Sequence, residues 1–175
     1  VPGADPGTEQ PAAARALGDS SYLITAALTN DYLLAHFVDP VHGGVFWSVD
    51  ASGAVVDERK QIYAQAFAVY ALAEYARASG SDAPLGPARE LVRLIECHGF
   101  DPVNGGYIEA LARDWGEIDD MRLSPKDLNA PKSMNTLLHV MEAYTTFVDV
   151  TGDDAVRERL ADLVEVILDH VVDDQ

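Results

Sequence analysis

Apolar residues recur at the three-to-four-residue spacing of an α-helix in five stretches of the chain. The predicted helices cover residues 12–37, 60–79, 84–98, 132–151 and 154–172. The second and fourth helices are apolar around most of their circumference, which is typical of helices that are buried on several sides. The other helices carry more charge, which indicates a single buried face. The chain is therefore expected to alternate between outer and inner helices.

Two of the breaks between helices repeat one another: FVDPVHGGVFW, which begins at Phe37, and GFDPVNGGYIE, which begins at Gly99. Proline and paired glycines end helices and allow tight turns. After the first copy, the sequence VFWSVDASGAVV predicts a short β-hairpin. The helices that follow also align without gaps, from Lys60 to Gly80 and from Lys132 to Gly152. The chain thus repeats one unit, a helix, a turn with a hairpin, and a second helix that ends in glycine.

This alternation predicts an all-α fold, a toroid of helical hairpins of the α/α-barrel type. Each hairpin needs a neighbour on both sides to bury its apolar faces, and the predicted helices are too few to close a ring. We therefore expect an incomplete toroid domain over residues 12–175, which a second copy or the remainder of a longer chain would complete. Residues 1–11 are rich in Pro, Gly and Ala and are predicted to form a flexible lead-in.

The charge balance narrows the range of partners. The chain has 29 acidic and 12 basic residues and a net charge of −17, so its surface would repel nucleic acid and anionic membranes. A neutral substrate fits this surface better. No apolar run reaches the roughly 18 residues that a membrane span needs. The single cysteine, Cys97, excludes an internal disulfide and indicates a reducing compartment, the cytoplasm. We expect it to be a buried thiol at a helix end.

The two inner helices carry different stripes at aligned positions. The stripe on the later helix is polar, and the stripe on the earlier helix is aromatic: Asn135, His139 and Glu142 against Tyr63, Phe67 and Tyr70. Residues at this spacing share one face of a helix. If both faces line a common cavity, the hydroxyl groups of a sugar would meet polar side chains and its C–H faces would meet rings.

Each of these residues also has a purely structural interpretation. His139 can be a core histidine bonded to a carbonyl, the aromatic stripe can be ordinary core, and Asn135 can cap the helix. Trp47 and Trp115 can stack on a ligand or simply cover the hairpins. His36, His42 and His170 have no metal-ligand spacing, and no phosphate-binding or dinucleotide motif occurs, so no metal or cofactor is predicted.

Taken together, the blocks GGVFW, ERKQIYAQAFAVYALAEYARASG, GGYIEALARDW and KSMNTLLHVMEAYT resemble the N-acylglucosamine 2-epimerase superfamily, most of all its cellobiose 2-epimerases. The resemblance runs from about Leu17 to the end of the chain. It implies an (α/α)6 barrel and a cofactor-independent sugar 2-epimerase. In this family a histidine removes the C2 proton of an open-chain aldose, a cis-enediolate forms, and a second histidine returns a proton to the opposite face.

The resemblance also implies site residues. Asn135 and His139 match the M-N-x-x-L-H block, whose histidine acts near the reacting carbons and whose asparagine binds substrate. Tyr63 and Phe67 match residues that line the cavity. The acid–base histidines of the family, one of them in a G-H-D-I-E block, and its substrate-binding arginine have no counterpart here. We therefore expect a barrel fragment that is inactive alone, belonging to an enzyme for aldoses of the cellobiose, N-acylglucosamine or mannose type.

Two other functions compete with this one. The chain could be a non-catalytic helical scaffold, a half-barrel that dimerises through the apolar flanks of its first and last helices. It could also be a toroid glycosidase with a carboxylate pair, Glu109 with Asp114 or Glu142. The expected partners are accordingly a mono- or disaccharide and either the missing barrel half or a second copy.

Overall fold

Two copies of one helical unit lie side by side in the computed structural model, which describes residues 11–14, 16 and 21–170. The helices are α1 (Ser21–Tyr32), α2 (Ile62–Ser79), α3 (Leu85–Leu94), α4 (Met134–Thr151) and α5 (Asp154–His170). The two inner helices, α2 and α4, pack against each other, while α3 packs on α2 and α5 packs on α4. The predicted alternation of inner and outer helices is confirmed, and the described part of the chain forms no closed ring.

The predicted lead-in lies outside the described residues except for Pro11, which is helical. Residues 171 and 172 of the last predicted helix also lie outside them. The first and third predicted helices do not end as regular α-helices. Instead, α1 and α3 each continue into a π-helical turn, Leu33–Phe37 and Ile95–Gly99. Cys97 lies in the second of these turns and is exposed, so its predicted burial is wrong. The widened turn directs Ile95 and Gly99 inward instead.

Short β-strands connect the helices. Strand β1 (Ser48–Val49) pairs with β2 (Val55–Asp57) and forms the predicted hairpin. Strand β3 (Lys60–Gln61) pairs with β4 (Ala110–Leu111) and joins the two units. Residues that were expected to begin the second helix, Lys60 and Gln61, therefore lie in a strand, since pairing with the hairpin of the next unit holds them extended.

Both inner helices end in the same way. Gly80 and Gly152 have φ angles of +70° and +69°, and their amides donate to the carbonyls of Ala76 and Val148. Glycine adopts this left-handed conformation without the steric cost of a Cβ atom, which explains why it closes both copies. At its other end, α4 begins with Ser133, whose hydroxyl accepts a hydrogen bond from the Thr136 amide.

An aspartate and a lysine tie each glycine turn to the inner helix that follows. Asp39 and Asp101 each accept hydrogen bonds from two amides of their own turn. Lys60 Nζ lies 3.1 Å from Asp39 Oδ2, and Lys132 Nζ lies 2.6 Å from Asp101 Oδ2. The turn is thus fixed relative to the first residues of the helix, which positions the stripes described below.

The two ion pairs differ in burial. The side chains of Lys60 and Asp39 are both fully buried, whereas that of Lys132 is 25% exposed. Arg113 of the second unit also binds Asp39, through Nε at 2.8 Å. Burial alone would raise the pKa of Asp39, but the hydrogen bonds from Arg113, the turn amides and Lys60 prevail and hold that pKa well below its usual range.

Glu96 joins the elements of the second unit. Its Oε1 accepts hydrogen bonds from the hydroxyl groups of Tyr107 and Tyr144, both at 2.6 Å. Its Oε2 accepts one from Arg159 of α5 at 2.7 Å. Burial and the neighbouring charge of Glu96 raise the pKa of Tyr107 far above its ordinary value, so the phenol remains a donor. The outer helix α5 is therefore held against α4 by polar contacts as well as apolar ones. None of the helices within the described ranges is long and apolar enough to cross a membrane.

Replacing Lys60 with methionine should destabilise the chain by about 3 kcal/mol, because it removes one partner of a fully buried ion pair. The matched change Lys132→Met should cost clearly less, since solvent already reaches that lysine. Urea unfolding followed by circular dichroism measures both. Equal losses in the two variants would contradict the structural difference between the two turns.

Candidate functional site

The aromatic stripe of α2 and the polar stripe of α4 meet at His139. The His139 ring centroid lies 4.8 Å from that of Tyr63, with the planes at 82°, and 4.6 Å from that of Phe67, at 47°. The two aromatic rings are themselves 4.7 Å apart. Because α2 and α4 are neighbouring inner helices, the aligned positions of the two copies come together on one face. That these residues form a ligand site stays a prediction.

Trp47 extends this aromatic group. It follows the first glycine turn, and its ring centroid lies 6.3 Å from that of Tyr63 in an edge-to-face arrangement. Trp115 lies elsewhere: it is 91% buried, stacks on His98 at 4.9 Å, and donates its indole N–H to the His42 carbonyl. Of the two tryptophans, Trp47 therefore belongs with the candidate site and Trp115 covers a turn.

Glu142 holds the His139 ring. Its Oε2 lies 2.7 Å from His139 Nδ1, one helical turn away, and the His139 side chain is 25% exposed. An ionised carboxylate accepts a hydrogen bond from Nδ1–H, which leaves Nε2 of a neutral imidazole with its lone pair. The other ring nitrogen can then act as an acceptor or a base. The spacing of residues 139 and 142 signalled this contact in the sequence, but no partner had been assigned to the histidine.

Asn135 lies one turn before His139, at the N-terminal end of α4, and it is exposed. Ser133, not Asn135, caps this helix, so the capping interpretation is wrong. At the other end of the stripe, Tyr70 and Glu142 border a cavity of about 310 Å³ between α2, α4 and α5. The candidate face thus runs along both inner helices, with His139 near its centre.

The carboxylates of the glycosidase alternative are held in three separate environments. Glu109 is buried, and its Oε1 accepts a hydrogen bond from Thr136 Oγ1 at 2.7 Å. Asp114 is exposed and accepts from the Gly116 amide, while Glu142 binds His139. No hydrogen bond within the described ranges joins two of them. In those same ranges, no group of three or more His, Cys, Asp and Glu residues could hold a metal ion.

In its neutral form, His139 should carry its proton on Nδ1, because Glu142 accepts a hydrogen bond from that nitrogen. The ¹⁵N chemical shifts of the imidazole report the tautomer directly. Glu142→Gln should increase the share of the Nε2–H tautomer. His170, which is exposed on α5, serves as the reference and should be unaffected. Identical His139 tautomers with and without the Glu142 carboxylate would contradict the orienting contact.

Comparison with known proteins shows the family of the chain. The family model for N-acylglucosamine 2-epimerase (GlcNAc 2-epimerase) matches residues 12–175. The chain is 44% identical over 162 residues to the cellobiose 2-epimerase of Bacteroides fragilis, which covers 93% of this chain and 41% of that protein. It is 30% identical over 125 residues to the D-mannose isomerase of Thermobifida fusca, 69% of this chain and 27% of that protein.

Solved structures give the same result. The cellobiose 2-epimerase from Bacillus thermoamylovorans superimposes with a TM-score of 0.91 and 37% identity, over 97% of this chain and 44% of that one. The chain spans about two fifths of the length of the cellobiose 2-epimerase of Bacteroides fragilis. The expected fold, part of an (α/α)6 barrel, is confirmed. The chain belongs to the N-acylglucosamine 2-epimerase family.

Proposed function

We propose that this chain forms one wall of the active site of a sugar 2-epimerase or aldose–ketose isomerase. The observation that carries the proposal is the contact of the His139 ring with both Tyr63 and Phe67, with one ring nitrogen held by Glu142. Relatives that are named as cellobiose 2-epimerase and D-mannose isomerase support it. The substrate is an aldose of the cellobiose, N-acylglucosamine or mannose type.

The substrate contacts follow from the chemistry of the face. Tyr63, Phe67 and Trp47 offer rings to the C–H faces of a sugar. Asn135, which is exposed at the start of α4, offers an amide that can both donate to and accept from hydroxyl groups. A net charge of −17 favours a neutral sugar over a phosphorylated one.

The reaction we propose is proton transfer at C2 of the open-chain sugar. A base removes the C2 proton, the electron pair delocalises toward C1 to form a cis-enediolate, and an acid returns a proton to the opposite face of C2. This requires two groups that titrate near neutral pH, one on each side of the plane. His139, oriented by Glu142, is one group that acts near the reacting carbons. No cofactor takes part in this scheme, and the single cysteine leads us to place it in the cytoplasm.

The chain by itself should not epimerise cellobiose or mannose, because the face described here supplies only one side of the reacting plane. Incubation of the pure chain with either sugar, followed by NMR, measures formation of the C2 epimer. Epimer formation above the rate of a protein-free control would show that this wall carries both proton-transfer groups.

Grafting the chain in place of the matching segment of the Bacteroides fragilis cellobiose 2-epimerase should give an active chimera. In that chimera, His139→Ala should lower kcat at least about a hundredfold, as expected for loss of a group that assists proton transfer near the reacting carbons. Asn135→Ala should mainly raise KM. His170→Ala, on the outer helix, is the matched histidine control and should leave activity unchanged.

One observation supports the alternative function, a non-catalytic helical scaffold. Apolar side chains are exposed on both flanks of the described structure: Ile24 and Leu28 on α1, and Val164 and Leu168 on α5. Such faces are typical of association surfaces. The chimera separates the two functions, since a folded chimera without epimerase activity, or one indifferent to His139→Ala, would favour the scaffold.

A further inference from the structure

Two side chains of the second unit, Arg113 and Trp115, cover the first glycine turn. We call these two covering residues the guest. We call the residues that they cover the seat: Asp39, His42, Phe46 and Lys60. Arg113 binds Asp39 and lies 5.2 Å above the Phe46 ring. Trp115 donates to the His42 carbonyl and lies 5.7 Å from Lys60 Nζ. The guest therefore contacts every member of the seat.

Backbone geometry shows how closely the guest fits. Trp115 has a φ of +68°, a conformation that non-glycine residues hold only where their surroundings impose it. A Cβ atom on Gly44 would lie 2.6 Å from the Trp115 ring. The Trp115 ring can therefore lie this close to the turn only because Gly44 has no Cβ atom.

The second glycine turn has four equivalent positions, of which the aspartate and the lysine are the same. The repeat maps Asp39, His42, Phe46 and Lys60 onto Asp101, Asn104, Ile108 and Lys132. All four of these residues line one cavity of about 680 Å³. This cavity is therefore lined at the positions of all four seat residues.

The exposure and the charge of the residues that line the second seat indicate which side chains it would bind. The side chains of Asp101 and Lys132 are 18% and 25% exposed, whereas their covered counterparts are fully buried. Glu117 and Asp119 add negative charge to the lining, and Leu111, Ile118 and Met121 add apolar surface. A cationic group beside an aromatic ring complements both features.

We propose that the second seat receives the hairpin of a following repeat unit in a longer polypeptide, which presents an arginine and, two residues later, an aromatic side chain. The first seat shows this guest in place. The share of the relatives that the chain spans, about two fifths, leaves room for further units. Successive units would then be held together in the same way, because the hairpin of each unit would cover the glycine turn of the unit before it. This inference does not depend on the proposed epimerase activity.

Lysine acylation can test the proposal, because the chain contains only Lys60, Lys126 and Lys132. A copy of residues 107–117, which contains no lysine, is fused after Gln175 through a flexible Gly/Ser linker. Tethering of this kind supplies an effective concentration of roughly millimolar. Acetylation of each lysine is then followed by mass spectrometry. The control fusion carries alanine in place of both the arginine and the tryptophan of the appended copy.

The appended guest should slow acetylation of Lys132 at least about threefold relative to the control fusion. Lys126, exposed in the loop, should react equally in both, and the buried Lys60 should stay protected and so report that the chain is folded. In an Asp101→Asn host, the guest should no longer make a difference.

Equal Lys132 reactivity with the intact and the alanine-substituted guest would overturn the assignment. Protection of Lys132 that appears in the unfused chain on raising its concentration, together with dimers in sedimentation equilibrium, would also overturn it, in favour of a second copy as the occupant.

Discussion

The pairing of an aspartate in each glycine turn with the lysine that precedes the next inner helix is the constraint on which the rest of this structure depends. Asp39 with Lys60, and Asp101 with Lys132, fix where α2 and α4 begin. Tyr63 and Asn135 follow one helical turn later, at equivalent places. The same kind of ion pair therefore fixes the end of each inner helix at which the candidate site lies and the register in which the two stripes face each other.

Within this shared frame, the two units have different chemistry. The backbone repeats its turns, bridges and left-handed glycines almost without change. The side chains at the aligned positions diverge, so that Phe67 in one copy corresponds to His139 in the other. A polar residue thereby gains two aromatic neighbours without any change in fold. A repeat architecture allows this because inward-facing positions are not all needed for packing between units.

The seats on the glycine turns show the opposite behaviour, since there both copies keep the aspartate and the lysine and differ in how far these are covered. Buried charge is tolerable where it is paired and hydrogen-bonded, as Asp39 is by Lys60, Arg113 and its own turn. The pair of Asp101 and Lys132 is partly exposed. The same few ionic contacts at the glycine turns thus stabilise the chain and link each unit to the next one.

The sequence by itself determined the helices, the repeat and the pairing of the two stripes, because helical periodicity and a gap-free internal alignment are local properties that survive folding. It also identified His139, Asn135, Tyr63 and Phe67 as candidates. Only the tertiary structure decided which contacts these side chains make: Glu142 on His139, Ser133 rather than Asn135 as the cap, and Trp47 rather than Trp115 beside the site. The exposure of Cys97 and the strand at Lys60 were missed for the same reason. Each depends on a partner from the other unit or on a local change in helical pitch, and neither leaves a periodic signal in the chain.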